Sequence, residues 1–115
     1  MTEEPKIYIG IDLGTSAYRA VAINQHQHIV ASYQQASTET GKEQSAEAQW
    51  HTVKQVINQI IKKCNGKTIK AVSVDASSGS VMMTNQYGRP ITPMLMYDDD
   101  RSLEQSNKIS QYAPL

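Results

Sequence analysis

An α/β fold built on a mixed sheet is what this sequence predicts, and three observations predict it. Three short apolar or β-branched stretches follow one another in the first 33 residues, separated only by turn residues. One long stretch with helical periodicity comes next, over residues 45–64. A further strand-like stretch, residues 69–75, follows that helix. Strands joined by short turns give an antiparallel meander, and a strand reached through a crossover helix returns parallel to the sheet it left.

The opening stretch, Ile7-Tyr8-Ile9-Gly10-Ile11-Asp12-Leu13, alternates with period two. As a strand it sets Ile7, Ile9, Ile11 and Leu13 on one face, and Tyr8, Gly10 and Asp12 on the other. Gly10 leaves the space beside the Asp12 carboxylate open. Gly14-Thr15-Ser16 then turns the chain with two hydroxyls and several backbone N–H groups, a concavity suited to phosphate. A carboxylate repels phosphate but holds Mg²⁺ or a bridging water. The same residues also make a plain hairpin turn with local side-chain hydrogen bonds, so two readings stand at this point.

Tyr18–Ile23 and Ile29–Tyr33 read as the second and third strands. His26 and His28 in the turn between them read as a solvated pair rather than a metal site, since spacing of two on a polar turn supplies too few ligands. Residues 36–44 read as a connecting loop. Ser45 then suits a helix N-cap, with Glu47 in the first turn. Trp50, Val53, Ile57, Ile60, Ile61 and Cys64 recur at three- and four-residue steps, predicting an apolar stripe with Cys64 as a buried thiol. Asn65-Gly66 ends the helix.

The strand at residues 69–75 ends in Asp75-Ala76-Ser77-Ser78-Gly79-Ser80. Ligands bind at the carboxyl ends of strands in open α/β sheets, and hydroxyls with a carboxylate suit a polyhydroxylated ligand. An ordinary serine-rich loop is the other reading. Val81–Thr84, a turn at residues 85–88 and Arg89-Pro90-Ile91 form a hairpin signal. Met82, Met83 and Met94 read as core filler. Of Asp98, Asp99 and Asp100, neighbours on an extended segment point opposite ways, so one is expected to be functional and the others solvated or capping. Residues 102–112 read as a weak helix capped by one of these aspartates.

Composition narrows the class. Lys plus Arg equals Asp plus Glu at 11 each, which removes a global charge for nucleic acid or an anionic membrane. No apolar run approaches the roughly 20 residues of a membrane span. A polar, acidic N-terminus and a single cysteine suit a cytoplasmic protein, without signal peptide or intrachain disulfide.

The order of these features resembles the FGGY carbohydrate kinases, of the sugar kinase, Hsp70 and actin superfamily with its ribonuclease H-like fold. Ile9–Ser16 followed by Arg19-Ala20-Val21 is similar to the superfamily's first phosphate motif. Gly88-Arg89-Pro90-Ile91-Thr92-Pro93 leading to Tyr97-Asp98-Asp99-Asp100-Arg101 is similar to the family's Gly-x-Pro-hydrophobic-x-Pro hairpin and Trp/Tyr-x-Asp-x-Arg stretch. The resemblance implies ATP and Mg²⁺, with Gly14, Thr15 and Ser16 on the phosphates and Asp12 holding the metal directly or through water. Arg19 is then a candidate for neutralising charge on the transferred group, or equally a surface ion-pair partner. Asp75, Ser78, Gly79 and Asp99 are the candidates for the acceptor side, Asp75 as an orienter of the loop.

Xylulokinases of this family carry Gly-Gln-Met-His at the acceptor loop and glycerol kinases Asn-Gln-Arg-Glu. Residues 75–80 have neither and are more similar to the Asp-Gly-Thr-Ser type of D-ribulose kinases. The acceptor expected is a ketopentose or pentitol, D-ribulose first and D-xylulose next. FGGY kinases are several times longer, with two domains closing on ATP. The chain is therefore expected to be the N-terminal part of the first domain (residues 1–115), Pro114-Leu115 being no natural finish for the fold. The second ATPase domain and the catalytic base would lie outside it, and the chain alone would be inactive. A homodimer is expected only of the full-length protein. The competing readings are a non-catalytic actin- or Hsp70-like module and a sugar-binding regulatory module.

Overall fold

The computed structural model describes residues 3–113; Pro114 and Leu115 lie outside the described residues. Its elements are β1 (Lys6–Leu13), β2 (Ala17–Asn24), β3 (Ile29–Ala36), β4 (Glu43–Gln44), α1 (Ala46–Lys63), β5 (Thr68–Ala76), β6 (Met94–Leu95) and α2 (Leu103–Tyr112). The main sheet runs β3-β2-β1-β5, with β1, β2 and β3 antiparallel in turn and β5 parallel to β1. The expected meander, crossover helix and parallel return are all present.

Period-two alternation in β1 does what the sequence predicts. Ile7, Ile9 and Ile11 are buried, while Tyr8, Gly10 and Asp12 face the other way and are exposed. Ala20 and Ala22 of β2 join the isoleucines on the buried face, their small side chains admitting α1 close to the sheet. The turn between β2 and β3 is closed by Asn24, whose Oδ1 accepts from the N–H groups of His26 and His28 at 2.9 and 3.0 Å. Both imidazoles remain exposed, as expected of a solvated turn.

Helix α1 begins at the predicted cap: Ser45 Oγ accepts from Ala48 N–H at 3.1 Å. Its buried face differs from the predicted stripe. Val53, Val56, Ile60, Cys64 and Thr52 are buried, whereas Trp50 is 56% and Ile61 44% exposed. The physical reason is the helix's position: α1 lies over β2 and β3, leaving its far flank without a partner. Thr52 goes inside at little cost because its hydroxyl donates to the Ala48 carbonyl of its own helix at 3.3 Å. Asn65 and Gly66 end the helix at positive φ, 52° and 74°.

Beyond β5 the chain departs from expectation more often. Residues 81–91 form no regular hairpin strands; Val81 bridges Leu95 and Thr84 bridges Pro90, the prolines having removed the donors a ladder needs. Met83 is 64% exposed and is not core filler, while Met96 is buried. The segment read as a loop contributes β4, which pairs with β6. Helix α2 starts after Ser102, and no aspartate side chain caps it.

Candidate functional site

The first hairpin sets the site. Gly14 N–H donates to the Ala17 carbonyl at 3.1 Å, reversing the chain between β1 and β2. A Cβ on Gly14 would stand 2.7 Å from that same backbone oxygen, so no other residue fits without moving the turn. Gly14→Ala is therefore expected to destabilise the chain by about 1–3 kcal/mol, read as a lower urea midpoint at unchanged slope. An unchanged midpoint would show that the turn is slack. Thr15 and Ser16 at the tip are exposed, and the Ser16 carbonyl accepts from Ser37 N–H at 2.9 Å, which ties the turn to the end of β3.

Asp12 lies on the sheet face opposite the core, directly across from Arg19 on β2 and beside Asp75 on β5. Arg19 Nη1 stands 3.4 Å from Asp12 Oδ2, and both side chains are about half exposed, at 45% and 53%. Arg19 thus fills both roles open to it from sequence: it is an ion-pair partner, and it is next to the candidate metal carboxylate. Gly10 has open space where a Cβ would be, and Gly10, Asp12, Arg19, Ser73 and Asp75 line a cleft of about 400 Å³. Two carboxylates beside an unfilled space are a hard-oxygen donor set of the kind Mg²⁺ takes, so these residues fit that ion. Asp75 is also used locally: its Oδ1 accepts from Ala76 N–H at 2.9 Å, which holds the start of the loop that follows.

The parallel return of β5 brings that loop to the turn. Ser77 N–H donates to the Leu13 carbonyl at 3.2 Å, so the ends of β1 and β5 are joined. A small cleft of about 140 Å³ separates Gly14 and Thr15 on one side from Ser77 and Ser80 on the other. Gly79 has φ +86° and packs against Tyr97, where an added Cβ would lie 3.4 Å from the Tyr97 Cβ. Ser80 Oγ accepts from Tyr97 N–H at 3.1 Å. Ser78 is exposed at the loop's tip.

Asp99 sits differently. Its Oδ2 accepts from Arg101 Nε at 2.9 Å and pairs with Nη2 at 2.8 Å, its Oδ1 accepts from Arg101 N–H at 3.1 Å, and its side chain is only 8% exposed. Arg101 in turn reaches Glu43 on β4 at 3.0 Å, and Lys42 pairs with Asp100 at 3.1 Å. The neighbour Asp98, with Tyr97 and Lys42, lines a cleft of about 420 Å³ that also takes in Thr15 and Ser16. Tyr97 stood in the Tyr-x-Asp-x-Arg motif and could have been singled out from it. Lys42 had no signal, because only the pairing of β4 with β6 brings it near.

Hydrogen bonds from Arg101 hold the Asp99 carboxyl below its ordinary value of 3.8, and Lys42 does the same for Asp100. A carboxylate lowered in the folded state stabilises above its unfolded pKa, and that contribution is lost as pH falls through the lowered value. The clamp on residues 97–101 is therefore expected to hold at pH 5 and to release only below about pH 3.8. The Arg101 Nε–H resonance, slowly exchanging above that range and lost below it, reads this directly. Release at pH 5 would mean that the pairs do not form in solution.

The matches to known proteins agree with this geometry. Residues 7–114 match the family model described as "FGGY family of carbohydrate kinases, N-terminal domain". The xylulose kinase of Staphylococcus xylosus is 24% identical over 90% of this chain and 22% of its own length. The glycerol kinase of Aquifex aeolicus is 25% identical over 93% of the chain and 23% of its own. Among solved structures, the gluconate kinase of Lactobacillus acidophilus superposes with TM-score 0.79 at 25% identity, covering 96% of this chain and 24% of that one. The xylulose kinase of Brucella ovis superposes at 0.81 with 18% identity, covering 92% and 24%, a likeness of fold. The chain thus spans less than a quarter of the length of each of these relatives. The fold is the ribonuclease H-like α/β fold of these sugar kinases, and the chain belongs to the FGGY family of carbohydrate kinases, matching its N-terminal domain.

Proposed function

We propose that this chain forms the phosphate-turn and acceptor side of an ATP-dependent carbohydrate kinase whose acceptor is a ketopentose, D-ribulose before D-xylulose. The observation that carries the reading is the joining of two loops from distant parts of the sequence. The Gly14–Ser16 turn and the Ser77–Ser80 loop meet across a small cleft through the Ser77-to-Leu13 hydrogen bond. Phosphoryl transfer depends on positioning and on charge stabilisation, and a phosphate-facing turn next to a hydroxyl-lined loop supplies the positioning.

Gly14, Thr15 and Ser16 offer N–H groups and hydroxyls to the nucleotide's phosphates. Asp12 would hold Mg²⁺, with Arg19 beside it as a cation for the transferred group. The ion, when bound, supplies neutralisation of charge on the phosphate oxygens. Ser78 and Gly79 face the acceptor, Gly79 because only a residue without Cβ leaves both the loop and Tyr97 in place. Asp75 orients the loop through Ala76 N–H. Asp99 acts at the acceptor side through its bond to Arg101, which fixes the turn carrying Tyr97 and Asp98. Small residues at 77–80, where the glycerol kinases and xylulokinases carry bulkier ones, favour the ribulose type.

The general base and the adenosine contacts are assigned to polypeptide outside these 115 residues, so the chain alone is expected to show no turnover. A coupled ADP assay tests the whole reading. The longer kinase should turn over D-ribulose with a kcat/KM at least about tenfold above D-xylulose, L-ribulose, ribitol or glycerol, and the 115-residue chain should give only the blank rate. Preference for glycerol would refute the substrate, and turnover by the short chain would refute the division of labour.

A further inference from the structure

The buried face of the main sheet is only partly covered. Val72 and Val74 of β5 stand in register with Ile9 and Ile11 of β1, so their side chains share the face on which α1 packs. Ile9 and Ile11 are buried, yet Val72 and Val74 are 54% and 59% exposed. The cause is again the placement of α1. Its Gln55 is hydrogen-bonded to Gln35 on β3, at the far side of the sheet from β5. Trp50, Ile57 and Ile61, spaced seven and four apart, lie on the opposite flank of the helix, toward β1 and β5. Ile57 reaches the core from there, while Trp50 and Ile61 are left open. The result is an apolar step: the flank of a helix as its wall, and the valines of β5 as its floor. Among the described residues no strand pairs with the outer side of β5, so this nine-residue strand offers a row of free backbone donors and acceptors.

We propose that this step is a docking surface for one occupant, a helix and a strand from the remaining three quarters of an FGGY-type kinase polypeptide, in the same chain or a separate one. The strand extends the sheet beyond β5, and the helix lies beside α1 on Val72 and Val74. Two facts select this occupant. The open surface needs a helix and a strand together, because an apolar face and an unpaired edge adjoin. The relatives supply such polypeptide, since this fold recurs in them at TM-scores near 0.8 as about a quarter of a longer chain. A second copy of this chain would pair β5 with β5, but it would leave the two valine floors uncovered unless it brought a helix to each. The proposal rests on family membership and not on the acceptor, so a wrong substrate assignment leaves its test unchanged.

Thiol accessibility is the test. Val72→Cys and Val74→Cys are labelled with a maleimide in the 115-residue chain, and again in this chain followed by the remaining part of the Lactobacillus acidophilus xylulose kinase. Ile29→Cys, on the exposed start of β3, is the open reference, and buried Cys64 is the silent one. In the short chain the two β5 thiols should react within a few-fold of the reference. In the long protein they should slow by roughly a hundredfold while the reference does not change, since a packed face reacts only on opening. Equal rates in both proteins would overturn the proposal. Slow reaction in the short chain together with the scattering mass of a dimer would overturn it in favour of a second copy. A long protein that fails to melt cooperatively would count against it as well, because the surface would then have rejected the polypeptide it is said to accept.

Discussion

Asp12→Ala should lower kcat of the longer kinase by roughly a thousandfold while leaving the fold intact. The activity side follows from position: the carboxylate is at the end of β1, faces away from the core, and stands between Arg19 and Asp75 over an open cleft. Without it the cleft keeps one carboxylate, and Arg19 faces the phosphates with no counter-charge to orient it. The stability side follows from exposure. An ion pair at 3.4 Å between half-exposed groups is worth little, so the urea midpoint of the 115-residue chain should move by less than about 1 kcal/mol. Asp12→Asn should restore the shape of the site but not the activity, which separates charge from packing. A variant with near-normal kcat would remove the metal role from Asp12 and leave its turn as a hairpin and nothing more.

Ile60→Ala should cost about 2–5 kcal/mol of folding stability, a large part of what a domain of this size holds. Ile60 is fully buried, in one cluster with Val53, Val56 and the isoleucines of β1. Removing three carbons there leaves a hole walled by a helix and a sheet that cannot close on it. The adjacent Ile61→Ala is the control: its side chain is 44% exposed on the open flank, and the change should cost less than about 1 kcal/mol. Paired denaturant melts decide the matter. Equal losses at 60 and 61 would mean that α1 is rotated in solution from the orientation described.

The contrast between 60 and 61 also shows how far the sequence could be read. Helical spacing marks both isoleucines, with Trp50, as one apolar stripe, since periodicity records which faces are apolar and not what lies opposite them. A stripe wider than its partner surface leaves residues outside, as Trp50 and Ile61 are here. β1, by contrast, was legible in full, because its alternation is two-sided: isoleucines inward, Gly10 and Asp12 outward, and a glycine turn that tolerates no other residue. The methionines misled for the first reason. Met83 is as apolar as Met96, but only Met96 lies where β4 and β6 close over it.

Within the candidate site the same division holds. The Asp12 turn and the small-residue loop at 75–80 were both visible as local chemistry, each a strand end rich in polar groups. The environments of Asp99 and Lys42 were not, since they are set by Arg101 and by contacts across more than fifty residues of chain.

By itself, then, the sequence determined the order and type of the main elements, the inward and outward faces of β1, the cap and stop of α1, and the family, because each depends on neighbours within a few residues or on a motif in fixed order. Only the tertiary structure decided that the phosphate turn and the acceptor loop share a cleft, that Asp99 is held by Arg101 while Asp98 lines the opening, and that β5 presents an uncovered apolar face. Those are facts of long-range register and helix placement, which pattern along a chain does not encode.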